Sequence, residues 1–244
     1  MASCKNGLLM LILCLLFLSA CKKEIVLSKS DYKPLGSSAH GLLTASPYEA
    51  LQIDINYMPG FSADTASINN LVIFLKKYLN KPDGINVFQH QIAASNKSIL
   101  TTPEIVNIEV RNRAFFTSPG LLCIHILITD GSFTNLETFA TSYWNTSICI
   151  FGRTIKDNSD GPFFVTKSRL LSTVLQHEMG HLLGLVDQGS PMQQNHKDVA
   201  NGAHCSNTNC LMHYTINTNA ASMANAIPLP DADCLYDLKA NGGK

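Results

Sequence analysis

The chain has 244 residues, 45% of them hydrophobic, with 18 basic and 18 acidic side chains. That is enough apolar material for one well-packed domain of ordinary size. A formal net charge of zero leaves no electrostatic footprint for nucleic acid, and no repeat or low-complexity tract divides the sequence.

The N-terminus reads as a targeting segment. Lys5 gives a positive start, and the apolar run over residues 7–18 is too short for a membrane-spanning helix. The run closes on Leu18-Ser19-Ala20-Cys21. This tetrapeptide resembles the lipobox of bacterial lipoproteins, and the resemblance implies cleavage before Cys21 and a lipid on its thiol. Residues 1–20 are then a signal peptide, residues 21–46 a flexible tether, and residues 47–244 the folded domain. The expected location is the bacterial cell envelope, with the chain anchored to a membrane rather than spanning it. Cys123, Cys149, Cys205, Cys210 and Cys234 lie beyond this segment, an odd number, in a compartment that permits disulfides.

From residue 48 to 58 the sequence alternates, with Leu51, Ile53, Ile55 and Tyr57 on one face and Gln52, Asp54 and Asn56 on the other. That is the pattern of a half-buried strand, and Pro59-Gly60 ends it. Over residues 63–80, Ile68, Leu71, Val72, Leu75 and Leu79 recur at helical spacing. Residues 85–93 read as a second strand. Pro103 opens a second helix that runs to about residue 115. The continuous apolar run over residues 121–129 predicts a buried central strand. Residues 138–144 and 147–152 predict two more strands turning at Asn145-Thr146. A helix over residues 165–183 follows. A long polar stretch then leads to a last helix that starts near Pro230 and is capped by Asp231 or Asp233. This order predicts an α/β (α+β) domain with a mixed, twisted sheet of about five strands.

The helix over residues 165–183 carries the chemistry. It contains His177-Glu178-Met179-Gly180-His181, followed by Gly184 and Asp187. Residues four apart share a helix face, so His177 and His181 can address one metal ion. Glu178, beside the first ligand, can reach a metal-bound water as general base. Gly184 stands where the helix should stop, since glycine tolerates a left-handed turn there. The returning chain can bring Asp187 to the same ion. Three protein ligands with an open fourth position are the pattern of catalytic zinc.

Two elements, His177 to Asp187 and Cys210-Leu211-Met212-His213-Tyr214, resemble those of the metzincin metallopeptidases. The resemblance implies one catalytic Zn2+ held by His177, His181 and Asp187, with Glu178 as catalytic base. It implies that Met212 sits in a tight turn beneath the metal, and that Tyr214 contacts the metal or the reacting carbonyl. It also implies that the strand near residues 138–144 is an antiparallel edge that binds an extended peptide. Most metzincins place His, not Asp, at the third ligand position. The long segment after Asp187 holds His196 and His204, and either can take that place instead. Cys205-x4-Cys210-x-Met212 resembles the archaemetzincins, which hold a second zinc with cysteines, but their further Cys-x-x-Cys is absent and only Cys234 follows, so a disulfide involving Cys205 or Cys210 is expected instead. The implied activity is zinc-dependent endopeptidase cleavage of a protein or peptide. The alternatives are a surface lipoprotein that binds peptide or glycan around a structural metal, or an amidase acting on cell-wall peptides. Nothing in the sequence sets the oligomeric state.

Overall fold

The computed structural model describes residues 30–222 and 226–244. The targeting segment and Cys21 lie outside the described residues. In chain order the elements are α1 (Ala39–Leu43), β1 (Tyr48–Tyr57), α2 (Thr65–Tyr78), β2 (Gly84–Gln91), β3 (Ile99–Leu100), α3 (Thr102–Asn112), β4 (Gly120–Thr129) and β5 (Ser132–Phe133). There follow β6 (Ala140–Trp144), β7 (Ser147–Phe151), α4 (Gly152–Asp157), α5 (Lys167–Leu182), a short 3-10 turn (Ala220–Ser222) and α6 (Ala232–Ala240). No helix among the described residues is long and apolar enough to cross a membrane.

The main sheet has five strands in the order β2-β1-β4-β7-β6. β4 is central, as its continuous apolar run predicts, and pairs in parallel with β1 and β7. β6 alone runs antiparallel and forms one edge. This is the mixed five-stranded α/β architecture expected from the sequence. β3 and β5 form a separate two-stranded parallel ladder.

The sheet separates two apolar layers. On one face Leu51, Ile53, Ile55, Ile124, Ile126 and Ile150 pack with Leu71 and Leu75 of α2 and with Leu171, Val174 and Leu175 of α5. On the other, Leu127, Cys149 and Phe151 pack with Met58, Leu100 and Ile105 of α3. Local chemistry fixes the helix starts. Asp64 caps α2 by accepting from Ser67 N at 2.9 Å. Glu104 reaches back to Thr101 N at 2.8 Å to cap α3. Asp231, not Asp233, caps α6 through Cys234 N at 3.0 Å.

Two expectations are corrected here. β1 is not half-exposed: Asp54 and Asn56, on its polar face, are fully buried. α3 covers that face and brings charges of its own, so the polar side chains find partners instead of water. Nor are residues 30–46 a tether. Leu42 and Leu43 have no exposure. Lys81 donates to the carbonyls of Gly41, Thr44 and Tyr48 at 2.6–2.7 Å, binding this segment to β1.

The buried charges under α3 are arranged around Arg113. Its guanidinium lies 2.8 Å from Glu109 Oε1 and 3.3 Å from Asp31 Oδ1, all three side chains being fully enclosed. It also donates to the carbonyls of Cys123 and Phe115 and to the Thr146 hydroxyl. Tyr143 and Ser147 donate to Glu109. The network ties α3, β4, β6, β7 and the N-terminal segment together. A buried ion pair adds little net stability, but removing one member strands the others without compensation. Arg113→Met should therefore lower the unfolding free energy by about 3–5 kcal/mol, read from denaturant titration at neutral pH. A change within the ordinary surface range of about 0.5 kcal/mol would show that the network is not what joins these elements.

Candidate metal centre

α5 starts at Thr166, whose hydroxyl accepts from Arg169 N at 3.3 Å. From Leu170 to Leu182 every residue is buried, so the helix is enclosed on all sides and only its polar groups distinguish one face from another. It stops at Gly184, which has φ +78. The Gly184 carbonyl accepts from Gln188 N and Ser190 N. A side chain at Gly184 would run into the backbone of Ser190 and the methyl of Ala39.

His177 and His181 lie one turn apart and present Nε2 to Nε2 at 3.2 Å. His177 Nδ1 donates to the Leu211 carbonyl at 2.7 Å, so in the neutral ring Nε2 carries the lone pair. The third member is His204. Its ring centroid lies 5.3 Å from His177 and 5.1 Å from His181, and ligand nitrogens of the three rings all fall within 4.8 Å of one another. His204 Nδ1 bonds the Asn201 carbonyl at 2.7 Å, which leaves Nε2 for a ligand role.

These residues fit a metal ion. In a tetrahedral site with zinc–nitrogen bonds of 2.0–2.1 Å, two ligand nitrogens stand about 3.3 Å apart. The His177–His181 spacing of 3.2 Å matches that edge. His181 Nδ1, the nitrogen turned away from His177, is buried and has no hydrogen-bond partner among the described residues. Burial pushes the pKa of His177 down to about 4 and that of His181 well below its usual range. Both rings are neutral at pH 7, the form that binds a metal.

Asp187 does not join this cluster. Val186 and Asp187 both adopt left-handed backbone, at φ +54 and +66. That turn buries Val186 and sends the Asp187 side chain outward, 61% exposed and 3.6 Å from Lys197 Nζ. The chain then makes a long excursion before His204 enters from the other side. His196 is also elsewhere, buried against Asp237 at 2.8 Å. The sequence reading named His204 only as an alternative. Its place directly before Cys205, at the head of the Cys205-x4-Cys210-x-Met212 stretch, is the signal that could have favoured it, and the structure pairs Cys205 N with Met212 O at 2.8 Å. The disulfide expected at Cys205 or Cys210 is absent: all five cysteines among the described residues are free thiols.

Glu178 lies at the rim of the cluster and is buried. Burial lifts its pKa to about 7, opposed by hydrogen bonds from Ser142. The Ser142 hydroxyl, on β6, donates to Glu178 Oε2 at 2.7 Å. Sequence reasoning missed Ser142, because a serine in an edge strand carries no distinctive pattern. Met212 is fully buried beneath the helix. Its sulfur lies against Gly180, in space that a side chain at 180 would fill. Tyr214 is half exposed. It lines a cleft of about 770 Å³ together with His177, Glu178, His181, His204 and residues Ala140 to Ser142 of β6.

No protein-family model matches the chain, and no curated protein matches it. Among solved structures, the chain is similar to an archaemetzincin from Methanopyrus kandleri, with a TM-score of 0.49 and 11% identity over 79% of this chain and 96% of that one. It is also similar to metalloproteinase-II from Bacteroides fragilis, with a TM-score of 0.43 and 16% identity over 82% of this chain and 55% of that one.

The geometry separates the candidate third ligands. His204→Ala should lose metal on dialysis against a mild chelator, whereas Asp187→Ala and His196→Ala should keep an ion between His177 and His181. Metal content of folded protein checks this. Loss from Asp187→Ala with retention in His204→Ala would reverse the assignment.

Proposed function

We propose that this chain is a zinc-dependent endopeptidase whose metal is held by His177, His181 and His204. The observation that carries the proposal is the convergence of three imidazoles with a buried carboxylate, Glu178, at the floor of a cleft bordered by an edge strand. A purely structural metal site has no use for that carboxylate.

When bound, the zinc supplies Lewis acidity, bringing the pKa of water down to about 7 and polarising a carbonyl. The chain's own residues do the rest. β6 pairs with β7 on one side only, so its other edge offers backbone groups to an extended peptide. With Oε2 held by Ser142, Glu178 would take a proton from the attacking water through its other oxygen. Glu178 then returns that proton to the departing amine. Its folded pKa near 7 suits it to both tasks. Tyr214, which lines the same cleft, would donate from its hydroxyl to the carbonyl oxygen as negative charge develops there. Met212 and Gly180 set the floor on which the imidazoles rest.

Glu178→Gln should keep its metal and lose about 10²- to 10⁴-fold in kcat on a generic protein substrate. Tyr214→Phe should lose about 10²-fold or less, because one oxyanion donor is removed while the metal remains. Cleavage by Glu178→Gln at the wild-type rate would eliminate the proposed base. Wild-type cleavage insensitive to chelator would eliminate the zinc.

We also propose that Cys21 carries a lipid and holds the protein in the bacterial cell envelope, on the strength of the lipobox-like Leu18 to Cys21. Cys21→Ala should abolish incorporation of labelled fatty acid and release soluble protein. Membrane retention of unlabelled wild type would point instead to an uncleaved hydrophobic segment.

A further inference from the structure

Ser142, which holds Glu178, is the last regularly paired residue before β6 changes register. The ladder with β7 pairs Ala140 with Ile150, Thr141 with Cys149 and Ser142 with Ile148, and then shifts so that Trp144 pairs with Ser147. Tyr143 is therefore the extra residue of a β-bulge. Consecutive side chains of a regular strand point to opposite faces, but a bulge breaks the alternation and re-aims what it carries. Here the Tyr143 and Trp144 rings lie together, 5.3 Å apart, on the α3 side of the sheet. Tyr143 packs against the layer of Leu127, Cys149 and Phe151. Trp144 meets the Tyr32 ring edge-on at 4.3 Å, and that ring lies against the Arg113 guanidinium.

We infer, on the basis of the peptidase reading above, that Tyr143 is a positioning residue for the catalytic base: its bond to Glu109, acting through the bulge, fixes where Ser142 holds Glu178. On the α5 side, Ser142 Oγ lies 2.7 Å from Glu178 Oε2 and 3.2 Å from the Glu178 carbonyl. Strand and helix are thus joined at the reacting carboxylate. On the opposite side, the Tyr143 hydroxyl donates to Glu109 Oε2. Glu109 is itself held fast, because Oε1 accepts from Arg113 Nη1 and from Ser147 Oγ, both at 2.8 Å. Both partners of the Glu109–Arg113 ion pair are fully enclosed, and a hydrogen bond to an ionised acceptor is stronger than a neutral one.

β6 needs such an anchor. It pairs with β7 alone, and the bulge interrupts that ladder directly after Ser142. The far end of the strand is tied by the turn: Lys33 N donates to Asn145 Oδ1 at 2.9 Å, and Asn145 N donates to the Lys33 carbonyl at 3.1 Å. Between that turn and Ser142, the Tyr143 hydroxyl supplies the side-chain tie to the buried network. A misplacement of about 1 Å at a reacting group can cost about 10²-fold in rate. The bland alternative is that Tyr143 only satisfies the Glu109 carboxylate. Ser147 separates the two, since it makes a bond of the same kind to the same carboxylate from β7, with no connection through Ser142.

The test is a double-mutant cycle on the zinc-loaded full chain. For every variant, kcat on a generic unfolded protein substrate, zinc content and the denaturant midpoint are measured. Tyr143→Phe keeps the ring and removes the hydroxyl, and should lower kcat about 10-fold with zinc retained. In a Ser142→Ala background the same change should cost less than about 2-fold, because the link it acts through is gone. Ser142→Ala alone should lower kcat about 10-fold, and Ser142→Thr, which restores a hydroxyl, should recover most of that loss. Ser147→Ala should lower the denaturant midpoint yet keep kcat within about 2-fold of wild type. Equal losses from Tyr143→Phe in both backgrounds, or an equal loss from Ser147→Ala, would overturn the inference, since a bond that only supports the fold acts alike with or without Ser142. Unchanged kcat in Ser142→Ala would overturn it even where Tyr143→Phe does not fold. A wild-type chain without chelator-sensitive cleavage would remove the peptidase reading itself, and this role of Tyr143 with it.

Discussion

Everything around the cleft depends on one electrostatic constraint: buried imidazole nitrogens of His177 and His181 brought edge to edge, with His204 beside them. His177 and His181 hold Nε2 atoms 3.2 Å apart inside the protein. With the His177 proton committed to the Leu211 carbonyl, a lone pair points at its neighbour. Burial keeps both rings uncharged. A cation between them turns this costly juxtaposition into a favourable one, and the rest of the structure supplies what such a cation needs.

The fold supplies it in layers. β6 and β7 of the sheet, α2 and α4 pack against α5, and every residue from Leu170 to Leu182 is buried, so the helix cannot rotate its histidines away. Met212 fits under Gly180, between His177 and His181 on the helix, because that position has no side chain. Gly184 ends the helix in a left-handed turn, and the long loop carries the chain around until His204 completes the set. Glu178 borrows its position from the sheet, through Ser142 on the edge strand. In the proposed mechanism the base and the edge strand that would hold the peptide are thus joined by one contact, as a catalytic group requires.

Much of this could be read from local patterns. The uninterrupted apolar run of β4, the helical periodicity of α2 and the His-Glu-x-x-His spacing on α5 each encode structure within a few residues. What escaped was long-range. The proposed third ligand is not the one that spacing from His181 suggests, because left-handed backbone at Val186 and Asp187 turns that carboxylate into solvent. His204 reaches the site only after an excursion whose path no periodicity describes. The polar face of β1 looked solvent-exposed because the charges that cover it, Glu109 on α3 and Arg113 at its C-terminal end, come more than 50 residues later. α1 is one turn long, too short to show a period, so residues around it looked like tether. Cys205, Cys210 and Cys234 come from separated segments, and free thiols there could not be told from disulfides by spacing.

The central claim is that the catalytic ion binds to three imidazoles, His177, His181 and His204. Anomalous diffraction at the zinc edge from crystals of the zinc-loaded full chain tests it most directly. The account predicts a peak about 2.0–2.1 Å from one nitrogen of each ring, with Glu178 beside the open position. A peak bonded to the Asp187 carboxylate, or no peak between His177 and His181, would contradict it.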